Sequence, residues 1–193
     1  MTVHSFSESL AASKAMEDAP WWPRVYSRAF PGFVSMVSVR SDGWAQRGGI
    51  DRVITLKSGR TVTVDEKVRS QSYGDILLER WSNRERKTEG WIQKDLACDF
   101  IAYAFVPDGR CYLFPFLPLR AAWISNGREW IAQAEREADG FRVVLAKNQT
   151  YTTESIAVPI PELLSAVRRA QVVDWAQSRS LYTQRPVASQ WRA

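Results

Sequence analysis

One histidine among 193 residues closes off much of enzyme chemistry for this chain. His4 stands alone, so zinc hydrolases of the HExxH type, HNH and HD phosphohydrolases, and hydrolases that pair serine or cysteine with histidine all lack their residues. Cysteine is nearly as scarce. Cys98 and Cys111 lie in apolar surroundings without metal-ligand spacing, and reduced core thiols in a cytoplasmic protein are expected, not a disulfide. No run of about 18 apolar residues is present, which argues against a membrane-spanning helix. Met1 to Met16 reads as neither a secretory signal nor a transit peptide. GxxxxGK[ST], GxGxxG and CxxC are missing as well, so phosphate-cradling loops and zinc fingers have no support. For an enzyme, a carboxylate site taking magnesium or manganese is what remains.

The composition that is present suits one domain spanning 1–193, long enough to bury its own core. Hydrophobic residues make up 45% and charged residues 24%, both ordinary globular values. Lysine and arginine exceed aspartate and glutamate by 26 to 21, a net charge of +5 that agrees with a polyanionic partner without establishing one.

The most informative stretch runs from Gly48 to Lys67. Arg52-Val53-Ile54-Thr55-Leu56 and Thr61-Val62-Thr63-Val64 flank the short turn Lys57-Ser58-Gly59-Arg60, which is a hairpin signal. Strand side chains alternate between faces, so Thr61, Thr63, Asp65 and Lys67 share one face while Val62, Val64 and Glu66 take the other. A carboxylate and an ammonium then lie together at one strand end, with Asp51 entering from the neighbouring strand. Two carboxylates and a lysine form the minimum set for holding a hard divalent cation and activating water beside it.

At these residues the chain resembles the PD-(D/E)XK nuclease superfamily, the restriction-endonuclease-like enzymes. Asp51 matches its first acidic position, Asp65-Glu66-Lys67 its second acid, spacer and lysine, and Gly49-Ile50-Asp51 the G-x-D lead-in of several branches. The "PD" proline is replaced by Ile50, and Glu66 stands where many members carry an apolar residue. The resemblance implies that Asp51 and Asp65 are metal ligands, that Glu66 contributes its backbone carbonyl, and that Lys67 orients or deprotonates water. The Glu66 side chain then needs a partner, which Arg52 or Arg69 would supply. Glu79 is a candidate additional ligand or Lys67 partner; Glu8 and Glu17 are candidates for the first-helix acid that commonly completes such sites. Asp99, before the apolar run Phe100 to Val106, is read as structural or supporting.

Along the chain, Ser7 to Met16 has helical composition, Val25 to Phe30 suggests a short helix, and Phe33 to Val39 alternates like a strand. Asp75 to Trp81 fits a buried strand or a helical turn, and Trp91 to Asp99 a helix or turns. Phe100 to Val106 and Arg110 to Phe114 form a hairpin about Pro107-Asp108-Gly109. Leu119 to Glu137 has helical spacing with an interruption expected at Asn126-Gly127, and Phe141 to Lys147 pairs with Thr150 to Val158. A final helix over Pro161 to Gln177 and a loose basic tail from about 185 complete the reading. The expected fold is α/β, a mixed central β-sheet flanked by helices with a restriction-endonuclease-like core.

Gln46, Arg47, Arg69, Gln71 and Tyr73 flank the motif and are candidates for phosphate contact, though ordinary polar loops explain them equally well. Of the nine tryptophans, Trp21, Trp22 and Trp44 are those expected at the surface, with Trp44 a candidate for stacking on bases. The functional expectation is a Mg²⁺- or Mn²⁺-dependent nuclease hydrolysing phosphodiester bonds, with DNA favoured over RNA and a homodimer allowed. An inactive binding module of the same fold and a dimeric sequence-specific restriction-type enzyme are the rivals. A small nuclease of this kind suits a phage or a defence locus.

Overall fold

In the computed structural model, Met16 and residues 18–176 are described. The first described element with a defined range is α1 (Trp22–Ala29), whose Pro23 sits in the first turn, where its missing N–H costs nothing. β1 (Phe33–Ser38) leads through a short helix α2 (Gly43–Arg47) to β2 (Arg52–Leu56) and β3 (Thr61–Arg69), the expected hairpin. Gly59 supplies the left-handed backbone of its turn, at φ +82°. β4 (Asp75–Asn83) and β5 (Thr88–Glu89) follow, then β6 (Phe100–Phe105), β7 (Arg110–Pro115) and the long helix α3 (Phe116–Glu135). β8 (Arg142–Lys147), β9 (Thr152–Pro159), α4 (Ile160–Ala166) and β10 (Gln171–Asp174) complete the described chain.

Two sheets result. The first has six strands in the order β1-β2-β3-β6-β7-β10, and the second four in the order β5-β4-β9-β8. Every pair in the first sheet is antiparallel except β3 with β6, where Val64 lies against Phe100 and Lys67 against Tyr103. The fold is therefore mixed α/β with a mixed central sheet and flanking helices. β6 is buried from Ile101 onward, as a central strand covered on both faces must be.

Each face of the six-stranded sheet has its own core. On one, Trp22, Val25 and Tyr26 of α1 pack against Ile54, Val62, Val64, Ala102 and Leu113. On the other, Ile101, Tyr103, Phe105 and Phe114 meet Ile76 and Leu78 of β4, Ile156 and Val158 of β9, and Trp123 and Trp130 of α3. Cys98 belongs to this second core and Cys111 to the first; both are free thiols, as expected. No helix among the described residues is long and apolar enough to cross a membrane.

The structure corrects several expectations. α3 runs unbroken through Asn126-Gly127, because Asn126 donates to the Ala122 carbonyl (2.9 Å) and Gly127 lies under the Trp123 ring, where a Cβ would come within 3.2 Å. The final helix stops at Ala166, far short of Gln177; β-branched Val172 and Val173 instead pair along the free edge of β7. Of the two forms expected for Asp75 to Trp81 the strand is found, as Asp75–Asn83, and what the separate segments did not reveal is the second sheet in which it pairs with β9. Trp91 to Asp99 is built of turns. Trp22 is fully buried and Trp21 stacks on Trp175 with ring centroids 4.3 Å apart, so of the three tryptophans expected outside only Trp44 is largely exposed. His4, the Ser7–Met16 helix apart from Met16 itself, Glu8, Glu17 and the basic tail lie outside the described residues.

Candidate active site

Asp51 stands one residue before β2, and its N–H donates to the Val64 carbonyl at 2.9 Å. Since Arg52 pairs with Val64, the antiparallel register sets Asp51 opposite Asp65. Asp65 and Lys67 project from the β3 face that looks toward the second sheet, because strand residues alternate. Lys67 Nζ donates to both Asp65 oxygens at 2.7 Å. Asp51 Oδ2 accepts from the Glu66 N–H at 2.8 Å, and its Oδ1 is 3.2 Å from Arg40 Nε. Thus the three side chains predicted to act together do converge.

Their charges are strongly coupled. Burial pushes the Asp65 carboxyl up to about 6, with the Lys67 charge opposing and the Asp51 charge reinforcing the rise. Burial acts on Asp51 in the same sense, but hydrogen bonds from Arg40 and the Glu66 N–H outweigh it and hold that carboxyl below its ordinary range. For Lys67, burial disfavours the ammonium; the Asp65 contact and the charges of Asp51 and Glu79 more than offset it and keep the lysine protonated.

Glu66 points the other way, into the α1 core, with its side chain fully buried. Its oxygens accept from Arg52 Nε and Nη2 (3.1 Å each), Arg40 Nη2 (2.7 Å) and Tyr26 Oη (2.5 Å). Arg52 is the partner anticipated. Arg69 is not; it reaches the Tyr103 hydroxyl at 3.4 Å. Sequence reasoning missed Arg40 and Tyr26. Arg40 spans both faces of the sheet end, one nitrogen on Asp51 and another on Glu66. Only the β1–β2 register brings it there, and nothing local in Val39-Arg40-Ser41 signals it.

The Gly90 turn closes the other side. Trp91 N–H donates to Glu79 Oε1 at 3.3 Å, and the Trp91 ring lies 5.6 Å from Lys67 Nζ, within cation–π range. Glu79, predicted as a ligand or a lysine partner, therefore adds its charge to the Lys67 environment and is tied to this turn. A Cβ on Gly90 would stand 2.1 Å from the Glu79 carbonyl oxygen, which is backbone and cannot rotate away. Gly90→Ala is accordingly expected to cost about 1–3 kcal/mol and to displace Trp91 from Lys67; urea denaturation and the Trp91 fluorescence contribution would register both. Cys98 also borders the site; burial pushes its thiol up to about 12, so it is no nucleophile. Asp99 accepts from Thr63 N–H (2.8 Å) and Thr63 Oγ1 (3.1 Å), a strand-start clamp consistent with its structural reading.

The remaining candidates divide. Gln46 and Arg47 belong to α2, directly before the glycines leading to Asp51. Arg69, Gln71 and Tyr73 gather at the far end of β3: the Tyr73 hydroxyl donates to Gln71, and Arg69 and Tyr73 line an open cavity of about 550 Å³ with Arg142 and Leu77. They do not join the carboxylate–lysine cluster in any hydrogen bond among the described residues. Among the described residues, no three His, Cys, Asp or Glu side chains are grouped to hold a metal. A cation here would rest on the two aspartates and a main-chain oxygen. The Glu66 carbonyl faces the Asp51 edge of β3, since a strand residue's N–H and C=O point to the same side and the Glu66 N–H points at Asp51. All of these donors are hard oxygens, the kind Mg²⁺ and Mn²⁺ take. Comparison with protein-family models, curated proteins and solved structures finds no match to this chain, so the site is read from its own geometry.

Proposed function

We propose that the chain is a divalent-metal-dependent nuclease of the PD-(D/E)XK kind, hydrolysing phosphodiester bonds in DNA. One observation carries the reading: Asp51 and Asp65 face each other across the β2–β3 register, with Lys67 bonded to Asp65 on the same face. The order α1, β1, β2, β3 through Lys67, interrupted by the short helix α2, and the mixed central sheet support such a core. Asp51, Asp65 and the Glu66 carbonyl would hold the cation. Bound there, Mg²⁺ supplies charge neutralisation at the scissile phosphate and a water of lowered pKa.

The chain's own residues prepare the rest. Arg40 and the Glu66 N–H fix both Asp51 oxygens, so that carboxylate is oriented before any ligand arrives. Lys67 Nζ donates to both Asp65 oxygens, the atoms a cation would also take, so a bound cation would share Asp65 with the ammonium. As an ammonium, Nζ would orient a water beside the phosphate and could supply a proton to the leaving oxygen. The Trp91 ring flanks Lys67 Nζ at 5.6 Å and favours its charged form.

Titrating Mg²⁺ and Mn²⁺ against supercoiled plasmid and single-stranded DNA should produce cleavage that EDTA abolishes. At subsaturating metal, activity is expected to fall as pH drops through about 6, because protons then compete with the cation for Asp65. The effect on folding runs the opposite way. The native Asp65 carboxyl binds its proton more tightly than the unfolded one, at about 3.9. Its contribution to stability is therefore full below that value and lost as pH rises through about 6. Asp65→Asn should flatten this part of the melting-temperature profile; an Mn²⁺ affinity that is unchanged from pH 7 to 5 would remove Asp65 from the site.

The inactive-module reading draws on one specific fact: Lys67 already engages both Asp65 oxygens in an ion pair. Failure of Mn²⁺ to bind, followed by its electron paramagnetic resonance signal, would favour it. DNA rather than RNA follows from the superfamily resemblance alone, since no group among the described residues reads a 2′-hydroxyl.

A further inference from the structure

We propose that Trp44 and Arg47 form a stacking platform for an unpaired nucleobase, and that the site's substrate is nucleic acid with a single-stranded segment. The choice of substrate class rests on the nuclease reading; the binding of a base does not. Trp44 is 80% exposed, the most exposed of the large apolar side chains among the described residues. Single exposed apolar groups are common, so exposure alone decides nothing. What distinguishes Trp44 is how firmly it is mounted.

Asp42 caps α2, accepting from the N–H groups of Trp44 (2.7 Å) and Ala45 (3.1 Å). The Gly48 N–H bonds to the Trp44 carbonyl at 3.0 Å, and the Ile50 N–H to the Ala45 carbonyl at 2.9 Å. Both backbone polar groups of Trp44 are therefore engaged, and the indole projects from a fixed point. The Arg47 guanidinium lies 4.4 Å from the ring centroid and covers one face. The opposite face is left to solvent, backed by a cation whose charge suits the phosphates beside a stacked base.

The platform and the carboxylates also belong to one structural unit. The Val39 N–H bonds to the Asp51 carbonyl at 3.0 Å, closing the loop that carries α2 at its base. Arg40, in the first turn of that loop, holds the Asp51 carboxylate. A base stacked on Trp44 is thus placed relative to Asp51 by short, hydrogen-bonded segments. In a closed duplex the interior base faces are already stacked on each other, so only single strands, frayed ends or overhangs present what this surface takes.

The test measures binding of a labelled oligothymidylate single strand and a closed hairpin duplex to the full chain by fluorescence anisotropy, with EDTA present to prevent turnover. Trp44→Ala should weaken single-strand binding by roughly 5- to 150-fold, the loss of about one stacked base, and leave hairpin binding unchanged. Trp44→Phe should retain most of the affinity. Equal loss for both ligands, no loss for either, or no single-strand binding by the unmodified chain would each overturn the platform. None of these outcomes bears on metal-dependent cleavage of plasmid, which is judged separately with Lys67→Ala.

Discussion

Lys67→Ala is expected to lower Mg²⁺-dependent cleavage by about 10²- to 10⁴-fold, the usual contribution of one positioned proton-transfer group. The ammonium is the only cation bonded to Asp65 among the described residues, at 2.7 Å from both oxygens. Removing it leaves a buried carboxyl already shifted to about 6, which would shift further and stay protonated at neutral pH. The variant therefore loses the water-handling group and weakens one ligand together. Lys67→Arg keeps the charge but not the compact single-point donor, so it should preserve the fold with little recovery of rate. Burst and steady-state rates on plasmid, with circular dichroism as a folding control, decide the matter. Equal cleavage by the unmodified chain and Lys67→Ala would place any activity elsewhere.

The largest stability effect should come from the opposite face. Arg52→Ala removes a bidentate partner from Glu66, whose side chain has no exposure, and is expected to cost about 3–5 kcal/mol. Arg40 and Tyr26 still contact Glu66 in that variant, which places the result near the lower end. Burial raises the Glu66 carboxyl and Arg52 opposes that rise, so the variant should also shed its charge more readily as pH falls. Arg52→Met combined with Glu66→Leu, which removes both charges, should recover part of the loss. Guanidinium denaturation of the three proteins measures it. A cost below about 1 kcal/mol for Arg52→Ala would mean the pair is no better than a surface contact.

Much of this architecture was legible locally. The β2–β3 hairpin follows from two β-branched runs around a glycine turn, and the sharing of a face by Asp65 and Lys67 from strand alternation alone. The opposite orientation of Glu66 followed from the same rule, and with it the need for Arg52. By contrast, Trp22 carries no local mark that separates it from Trp44. Its burial depends on α1 packing over the sheet, while Trp44 rides on an outer loop. The final helix was misread because Leu163, Leu164 and Val167 have helical spacing, whereas the chain beyond them is captured by the open edge of β7.

The sequence by itself determined the chemistry on offer: two aspartates and a lysine at strand spacing, and almost no histidine to support any other scheme. Tertiary structure alone decided what surrounds them. Arg40 on Asp51, Tyr26 on Glu66, and Trp91 with Glu79 beside Lys67 all come from elements distant along the chain. The physical reason is that alternation and turn preference are properties of neighbouring residues, while burial and charge pairing are set by whichever strands and helices happen to cover them.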